Sequence, residues 1–421
     1  MTEAAEPDRW PDAAPLPAGA RDVLPVEGEE LAAIEGALRS AFTSFGYREV
    51  RTPVLEFADV MDRAQEGGLG GRAFRLFDDH GEVLVLRPDL TIPVARLVAG
   101  RLREHPGPVR VSYVAQALRP APVGTARAAE ERQAGIELVG IAGPAADAEV
   151  IALLVEAVRG FGVGGLRVGV GDVELTRAVL AGLGIAPEAQ ARLRSAAEAR
   201  NLVAWRRAAA DLAIPEDARR VAAGLPAMRG GPEVLERLRD EVPAAGPECA
   251  RLAEMLRLLE AHGALDAVLV DLGVLRDWGY YSGVVFEAYL PGVGRPVAMG
   301  GRYDTLAARF GRPRPAVGVG INLDLLHAGI AARNGDVPAR EGVVIAGGLD
   351  EELATAGALR RAGIPAIGAP ATEGAATALA RADGWRFAAR RVDGVLELED
   401  LAAGVVAACD DLVEGIRSSR S

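Results

Sequence analysis

A cluster of polar and aromatic side chains opens the segment LRDWGYYSGVVFEAYLPG, residues 275–292. Arg276, an acid, a tryptophan and the adjacent Tyr280 and Tyr281 fall within six residues, and an apolar Val-Val-Phe run follows. A strand that only covers a core alternates apolar and polar residues. Neighbouring strand residues point to opposite faces, so one of the two tyrosines must look away from the other. The composition of this segment therefore indicates contact with a ligand.

The overall composition is that of an ordinary soluble globular protein. With 421 residues, 50% of them hydrophobic and 25% charged, the chain can form two or three domains around a large core. A net charge of −12 argues against broad binding to nucleic acid, although it leaves a local basic groove open. The sequence has neither a secretion signal nor an apolar stretch long enough to span a bilayer.

The residue types also exclude several cofactor chemistries. All 47 basic residues are arginine, so a P-loop lysine, Schiff-base chemistry and pyridoxal phosphate are excluded. Cys249 and Cys409 lie far apart, and the four histidines are scattered without a metal-ligand spacing. We therefore expect a reduced, cytoplasmic protein with no cofactor and no metal.

The sequence patterns around the cluster of residues 275–292 predict an α+β fold. Residues 1–18 are predicted to be a flexible leader, and residues 19–330 a domain with a helical insertion at about 185–262. Strand signals joined by turns, with the helices collected elsewhere, indicate an antiparallel sheet with flanking helices. Residues 341–421 read as a small α/β C-terminal domain with 13 acids against 8 arginines, which disfavours binding to nucleic acid.

Five motifs in a fixed order carry a family resemblance. Together they resemble histidyl-tRNA synthetase and its paralogue, the regulatory subunit of ATP phosphoribosyltransferase, over about residues 19–330. This resemblance implies the class II aminoacyl-tRNA synthetase-like fold for that domain. The motifs are GARDVLP (19–25), FGYREVRTPVLE (45–56), LRPDLT (86–91), GYYSGVVFEAY (279–289) and GGRYDTL (300–306).

The positions that would bind ATP depart from the synthetase pattern. The resemblance places Arg119 on the α-phosphate, but Ala121 stands where a glutamate is expected and Ala129 where a further basic residue is expected. In AVGVGINLDLL (316–326), Leu325 replaces the arginine of the terminal phosphate. Each charge-assisted donor lost at a transition state costs about 10²–10³ in rate. We therefore expect no catalytic residues and little aminoacylation.

The positions that would bind free histidine keep suitable residues. By resemblance, Asp89, Thr91 and Gln133 would contact the ammonium group, and Arg119 and Arg276 the carboxylate. Glu137 and Tyr281 would bind the two ring nitrogens, and Tyr280 would lie beside the ligand. In one departure, Gly279 stands where the synthetases carry an acid before the two tyrosines.

Simpler interpretations of the same residues remain open. Asp89 and Thr91 would also suit the cap of the helix that follows them. Gln133 and Glu137, four apart on a predicted loop and strand, could be a solvated polar pair. Arg119 could be a surface residue and Tyr280 a core aromatic.

The resemblance implies a regulatory rather than a catalytic role. A non-catalytic subunit of this kind would assemble with the short catalytic subunit of ATP phosphoribosyltransferase as a hetero-octamer, and with itself as a dimer through the synthetase-like domain. It would activate the first step of histidine biosynthesis and pass on feedback inhibition by free histidine. Two alternatives are a histidyl-tRNA synthetase with a degenerate ATP site and an interaction module whose former pocket is now core.

Overall fold

The chain divides into two compact units, Met1–Arg333 and Asn334–Ser421. The computed structural model describes residues 16–64, 73–121, 128–274, 281–334, 340–346, 349–369, 375–392, 395–409 and 411–419. Arg276 and Tyr280 of the predicted site lie outside these residues.

Fourteen α-helices are present in the described residues. They are α1 (Pro25–Ser44), α2 (Ala58–Ala64), α3 (Thr91–Gly100), α4 (Pro144–Arg159), α5 (Val173–Gly182), α6 (Pro187–Glu198), α7 (Leu202–Ala210), α8 (Glu216–Gly224), α9 (Glu233–Glu241), α10 (Gly246–Ala261), α11 (Leu323–Asn334), α12 (Leu349–Arg361), α13 (Ala375–Ala382) and α14 (Leu412–Ser418). Short 3₁₀ helices occur at Leu225–Ala227, Pro243–Ala245, Leu265–Ala267 and Ala307–Phe310. Within the described part of the chain, no helix combines the length and apolarity needed to cross a membrane.

The described strands form three sheets. They are β1 (Arg48–Glu49), β2 (Leu55–Phe57), β3 (Arg75–Phe77), β4 (Val83–Leu86), β5 (Val109–Leu118), β6 (Glu130–Val139), β7 (Arg167–Asp172), β8 (Arg229–Gly230), β9 (Val268–Asp271), β10 (Val284–Tyr289), β11 (Ala298–Arg302), β12 (Ala316–Asn322), β13 (Arg340–Ala346), β14 (Ala366–Ala369), β15 (Trp385–Val392), β16 (Val395–Asp400) and β17 (Val405–Ala408).

The largest sheet has nine strands in the order β1-β5-β6-β12-β11-β10-β7-β9-β8. Its central pairs are antiparallel, which agrees with the predicted class II synthetase-like sheet. The pairs β1·β5 and β7·β9 are parallel, which the sequence reading had not foreseen. A parallel pair needs a long crossover, and helices α5 to α10 provide it between β7 and β9.

Helices cover one face of this sheet, and the side chains that meet there are apolar. Helix α1 begins with Pro25 in its first turn and turns Leu31, Ile34, Leu38 and Phe42 toward the core, at the three- and four-residue spacing of one helix face. Helix α4 packs into the same cluster, which also holds the even-numbered β6 residues Ala134, Ile136 and Leu138. The odd-numbered residues of β6 therefore point to the opposite face.

A three-stranded sheet, ordered β2-β4-β3, adjoins this opposite face. Its Val85 is fully buried in a second apolar cluster, together with residues of α2 and α3. The register places Leu55, Phe57 and Leu76 on the other side of this small sheet, where all three are exposed.

The C-terminal unit contains a five-stranded sheet in the order β14-β13-β15-β16-β17. Strand β13 pairs in parallel with both β14 and β15, and β16 and β17 add antiparallel pairs. Side chains of α12 and α14 pack in one apolar cluster of this unit, and those of α13 in another. The last strand, β17, has the sequence Val-Val-Ala-Ala, and all four of its residues are exposed.

Candidate functional site

Strand β6 carries three polar residues on the face of the large sheet that helices α1 and α4 leave uncovered. Glu131, Gln133 and Glu137 are separated by even numbers of residues, so they share that face. The prediction that Gln133 lies in a loop was wrong, because β6 already begins at Glu130. The two residues of the predicted polar pair therefore stand on one rigid strand.

Glu137 lies at the centre of this face and is only 1% exposed. The Tyr303 hydroxyl donates a hydrogen bond to Glu137 Oε2. Glu137 Oε1 is buried and accepts no hydrogen bond of ordinary geometry from the residues that the structure describes, although the Thr91 and Tyr113 hydroxyls lie near the carboxyl group. Buried polar atoms in proteins almost always have a partner, so this oxygen is an acceptor that a ligand can satisfy.

Burial changes the protonation of this carboxyl group. It raises the pKa of Glu137 from 4.5 to about 8, with a further increase from the nearby charge of Asp89. The hydroxyls of Tyr303, Thr91 and Tyr113 oppose that rise by favouring the ionised form. Glu137 therefore holds a proton at neutral pH and can act as a donor or an acceptor toward a ligand.

Glycines on the neighbouring strands make room for these side chains. Register places Gly318 directly opposite Glu137, and a Cβ added at Gly318 would lie 1.6 Å from Glu137 Oε2. Gly135 pairs with Tyr113, and a Cβ there would lie 2.4 Å from the Tyr113 hydroxyl oxygen. Larger residues at either position would fill the site.

The segment before α3 brings two predicted residues to the site. Asp89 Oδ1 accepts a 2.8 Å hydrogen bond from the backbone N–H of Ile92, in the first turn of α3. Asp89 therefore does cap this helix. Thr91, the first residue of α3, places its hydroxyl beside Glu137 and Tyr113. Capping and ligand contact are thus compatible, since the cap fixes where Thr91 stands.

Arg119 is neither a free surface residue nor a free ligand partner. Its Nε donates to the Pro88 carbonyl oxygen at 2.6 Å, and its Nη1 donates to Glu131 Oε2 at 3.0 Å. Gln133 Nε2 lies 3.4 Å from the same Glu131 oxygen. The structure therefore gives Arg119 a carboxylate partner from its own chain.

Tyr281 reaches the same region from the start of the segment that leads into β10. A Cβ added at Gly301 would lie 2.8 Å from the Tyr281 ring, and Gly301 pairs with Gly318. Tyr281 also lies close enough to Tyr113 to influence its ionisation. The strand of this segment, β10, begins at Val284 with the Val-Val-Phe run.

Two of the predicted nucleotide positions, Leu325 and Ala129, offer no charge. Leu325 lies on α11 and packs against the large apolar cluster, where an arginine would have to be desolvated. Ala129 is buried, and its backbone N–H donates to the Gly19 carbonyl oxygen at 2.9 Å. In the described part of the chain, no three His, Cys, Asp or Glu side chains are grouped so that they could hold a metal ion.

Four further residues shape the site and were given no role from the sequence. Tyr113 and Tyr303 lie against Glu137; Tyr303 belongs to the GGRYDTL motif and Tyr113 to β5, and neither was assigned a function from the sequence. Glu131 and Arg295 form the polar group around Arg119. Glu131 is separated from Gln133 and Glu137 by even numbers of residues, and this spacing could have indicated that it shares their face of the strand.

Comparison with known proteins places this geometry in a family. A sequence model of the histidyl-tRNA synthetase family matches residues 19–326. The ATP phosphoribosyltransferase regulatory subunit of Moorella thermoacetica is 42% identical over 330 residues, covering 77% of this chain and 83% of that protein. The regulatory subunit of Symbiobacterium thermophilum is 39% identical over 319 residues, covering 74% and 78%.

The chain belongs to the ATP phosphoribosyltransferase regulatory subunit family. A solved structure from Bacillus halodurans C, described as an "ATP phosphoribosyltransferase regulatory subunit/histidyl-tRNA synthetase", is 30% identical with a TM-score of 0.77 and covers 86% of this chain and 93% of that one. The predicted family and fold class are confirmed, and the chain is a regulatory subunit in histidine biosynthesis rather than the catalytic enzyme. A regulatory subunit implies a catalytic partner subunit.

Proposed function

We propose that this regulatory subunit binds free histidine on the polar face of its large sheet and transmits that binding to a short-form catalytic subunit. The catalytic subunit would depend on it for activity in the first step of histidine biosynthesis, in the cytoplasm. Histidine would act as the feedback inhibitor.

The observation that carries this proposal is the unsatisfied Oε1 of Glu137. Neutral imidazole offers one N–H donor and one acceptor nitrogen, and a carboxyl group with a pKa of about 8 can pair with either. Two further polar groups belong to this region: the Thr91 hydroxyl, beside Glu137, and Gln133, on the same face of β6. These side chains offer hydrogen-bonding groups of the type that an amino acid requires, with no charged residue at position 325 for a nucleotide.

Transmission to the partner requires two states of this chain that bind histidine differently. A ligand shifts an equilibrium only by its differential affinity, and the coupling is reciprocal. A coupling of roughly 1–3 kcal/mol gives a 5- to 150-fold change in affinity, which is enough for a feedback response. The catalytic partner should therefore change the histidine affinity by the same factor by which histidine changes partner affinity.

We propose that self-association as a dimer uses the outer face of the three-stranded sheet. Leu55, Phe57, Phe74 and Leu76 are 38–50% exposed on this face, and Leu84 and Leu86 of β4 lie between them in the register. A contiguous apolar surface of this kind is typical of a protein interface. With such dimers and the catalytic subunits, the expected assembly is a hetero-octamer.

Calorimetric titration of histidine into the full chain, alone and with the short catalytic subunit, tests the proposal. We expect saturable binding that Gln133→Ala weakens roughly 10- to 100-fold, because a hydrogen bond to a charged group contributes about 1.5–3 kcal/mol. The matched control is Arg132→Ala, since Arg132 is the adjacent residue of β6 and points to the other face. Absence of histidine binding in both conditions would refute the proposal.

A further inference from the structure

Glu131 occupies an unusual position for a carboxylate. It is 6% exposed and lies on the same face of β6 as the histidine-contacting residues proposed above, two residues before Gln133. Its cross-strand neighbour on β5 is Ala117, which cannot compensate its charge. A buried carboxylate is costly unless it is paired and hydrogen-bonded.

Two arginines from distant parts of the chain supply that pairing. Arg119 Nη1 donates to Glu131 Oε2 at 3.0 Å, and Arg295 Nη2 lies 3.4 Å from Glu131 Oε1. Arg119 is held on its other side by the Pro88 carbonyl oxygen. Each oxygen of Glu131 thus faces one guanidinium, in the manner in which arginines bind a carboxylate or phosphate ligand.

The chain therefore supplies its own anion to the two arginines. A phosphate group that approached Arg119 would stand next to the Glu131 carboxylate, which is only 6% exposed, so water screens the repulsion between the two negative charges weakly. A zwitterion meets no such penalty, because its ammonium group offsets its carboxylate. One buried negative charge can consequently make the site bind an amino acid in preference to a nucleotide.

We propose that Glu131 is a specificity-determining residue that excludes phosphate-bearing ligands, such as nucleotides, pyrophosphate and aminoacyl adenylates, from this site. The inference rests on the proposed function in taking a free amino acid as the natural ligand. It adds a positive cause of selectivity to the missing donors at Ala121 and Leu325.

The test is pyrophosphate and ATP binding to the full chain and its Glu131 variants, measured by calorimetry at neutral pH. Glu131→Gln keeps the side chain's shape and removes its charge, and we expect it to bind pyrophosphate at least tenfold more tightly than the wild type. Glu131→Met, with an apolar side chain of similar length, should also bind pyrophosphate more tightly than the wild type. It replaces the glutamine variant if that variant does not fold. Glu131→Asp retains the charge and should remain as weak as the wild type.

The matched control is Glu130→Gln, an exposed acid on the opposite face of β6 that removes the same charge from the same strand. If a folded neutral variant at position 131 binds pyrophosphate and ATP no better than Glu130→Gln, the inference is wrong. Histidine titrations of the same samples report separately on the proposed function. Loss of phosphate exclusion in Glu131→Gln supports the inference whether or not the wild type binds histidine.

Discussion

Replacing Glu137 by glutamine should make the free energy of unfolding less sensitive to rising pH. In the unfolded chain this carboxyl group ionises near its ordinary pKa of 4.5, whereas burial raises the pKa in the folded chain to about 8. The stability contributed by the protonated group is therefore complete below pH 4.5 and is lost as the pH rises toward 8. Each unit of pKa difference corresponds to 1.36 kcal/mol. Linkage over this window gives a loss of roughly 3–4 kcal/mol between pH 5 and pH 8.

Urea denaturation of the wild type and of Glu137→Gln at a series of pH values measures this loss. All other titrating groups are shared, so the difference in free energy of unfolding between the two proteins isolates Glu137. We expect that difference to grow by roughly 3–4 kcal/mol from pH 5 to pH 8. Glu130→Gln, at an exposed position of the same strand, should show no comparable change. A difference that stays constant across the range would mean that Glu137 ionises normally, and the reasoning about its burial would fail.

Three further perturbations have defined outcomes. Phe57→Asp should convert the dimer to a monomer in analytical ultracentrifugation, whereas Val405→Asp, an equally exposed apolar site in the C-terminal unit, should leave the dimer intact. Arg302→Met should lower the free energy of unfolding by about 3–5 kcal/mol in urea titrations, because it leaves a buried aspartate without its 2.6 Å partner. Gly318→Ala should abolish histidine binding in calorimetry, because the new Cβ would overlap Glu137 Oε2; binding at wild-type affinity would contradict the geometry described for the site.

The helices and the fold class could be read from the sequence because their signals are local. The spacing of Leu31, Ile34, Leu38 and Phe42 marks one helix face, and the structure buries that face. The family motifs, taken in order, implied the class II synthetase-like sheet, which the structure and the comparisons confirm. Local periodicity also located the helices between β7 and β9 but not the parallel pairing of those two strands.

The details of the site could not be predicted because they depend on register between strands. Tyr113 and Tyr303 reach Glu137 only because β5, β6, β11 and β12 align as they do, and no local pattern encodes that alignment. The pairing of Glu131 with Arg119 and Arg295 joins residues 12 and 164 positions apart. The roles proposed for Asp89, Thr91, Gln133, Glu137 and the other predicted ligand residues stay predictions until binding is measured.

The most direct test of the central claim is an activity measurement on a short-form ATP phosphoribosyltransferase catalytic subunit, with and without this chain and with and without histidine. We predict little activity from the catalytic subunit alone, strong activation by this chain, and inhibition of the mixture by histidine that Gln133→Ala shifts to higher histidine concentration. The same chain incubated alone with ATP and histidine should give no pyrophosphate exchange. Histidine-dependent pyrophosphate exchange by the chain alone, or a catalytic subunit indifferent to its presence, would contradict the account.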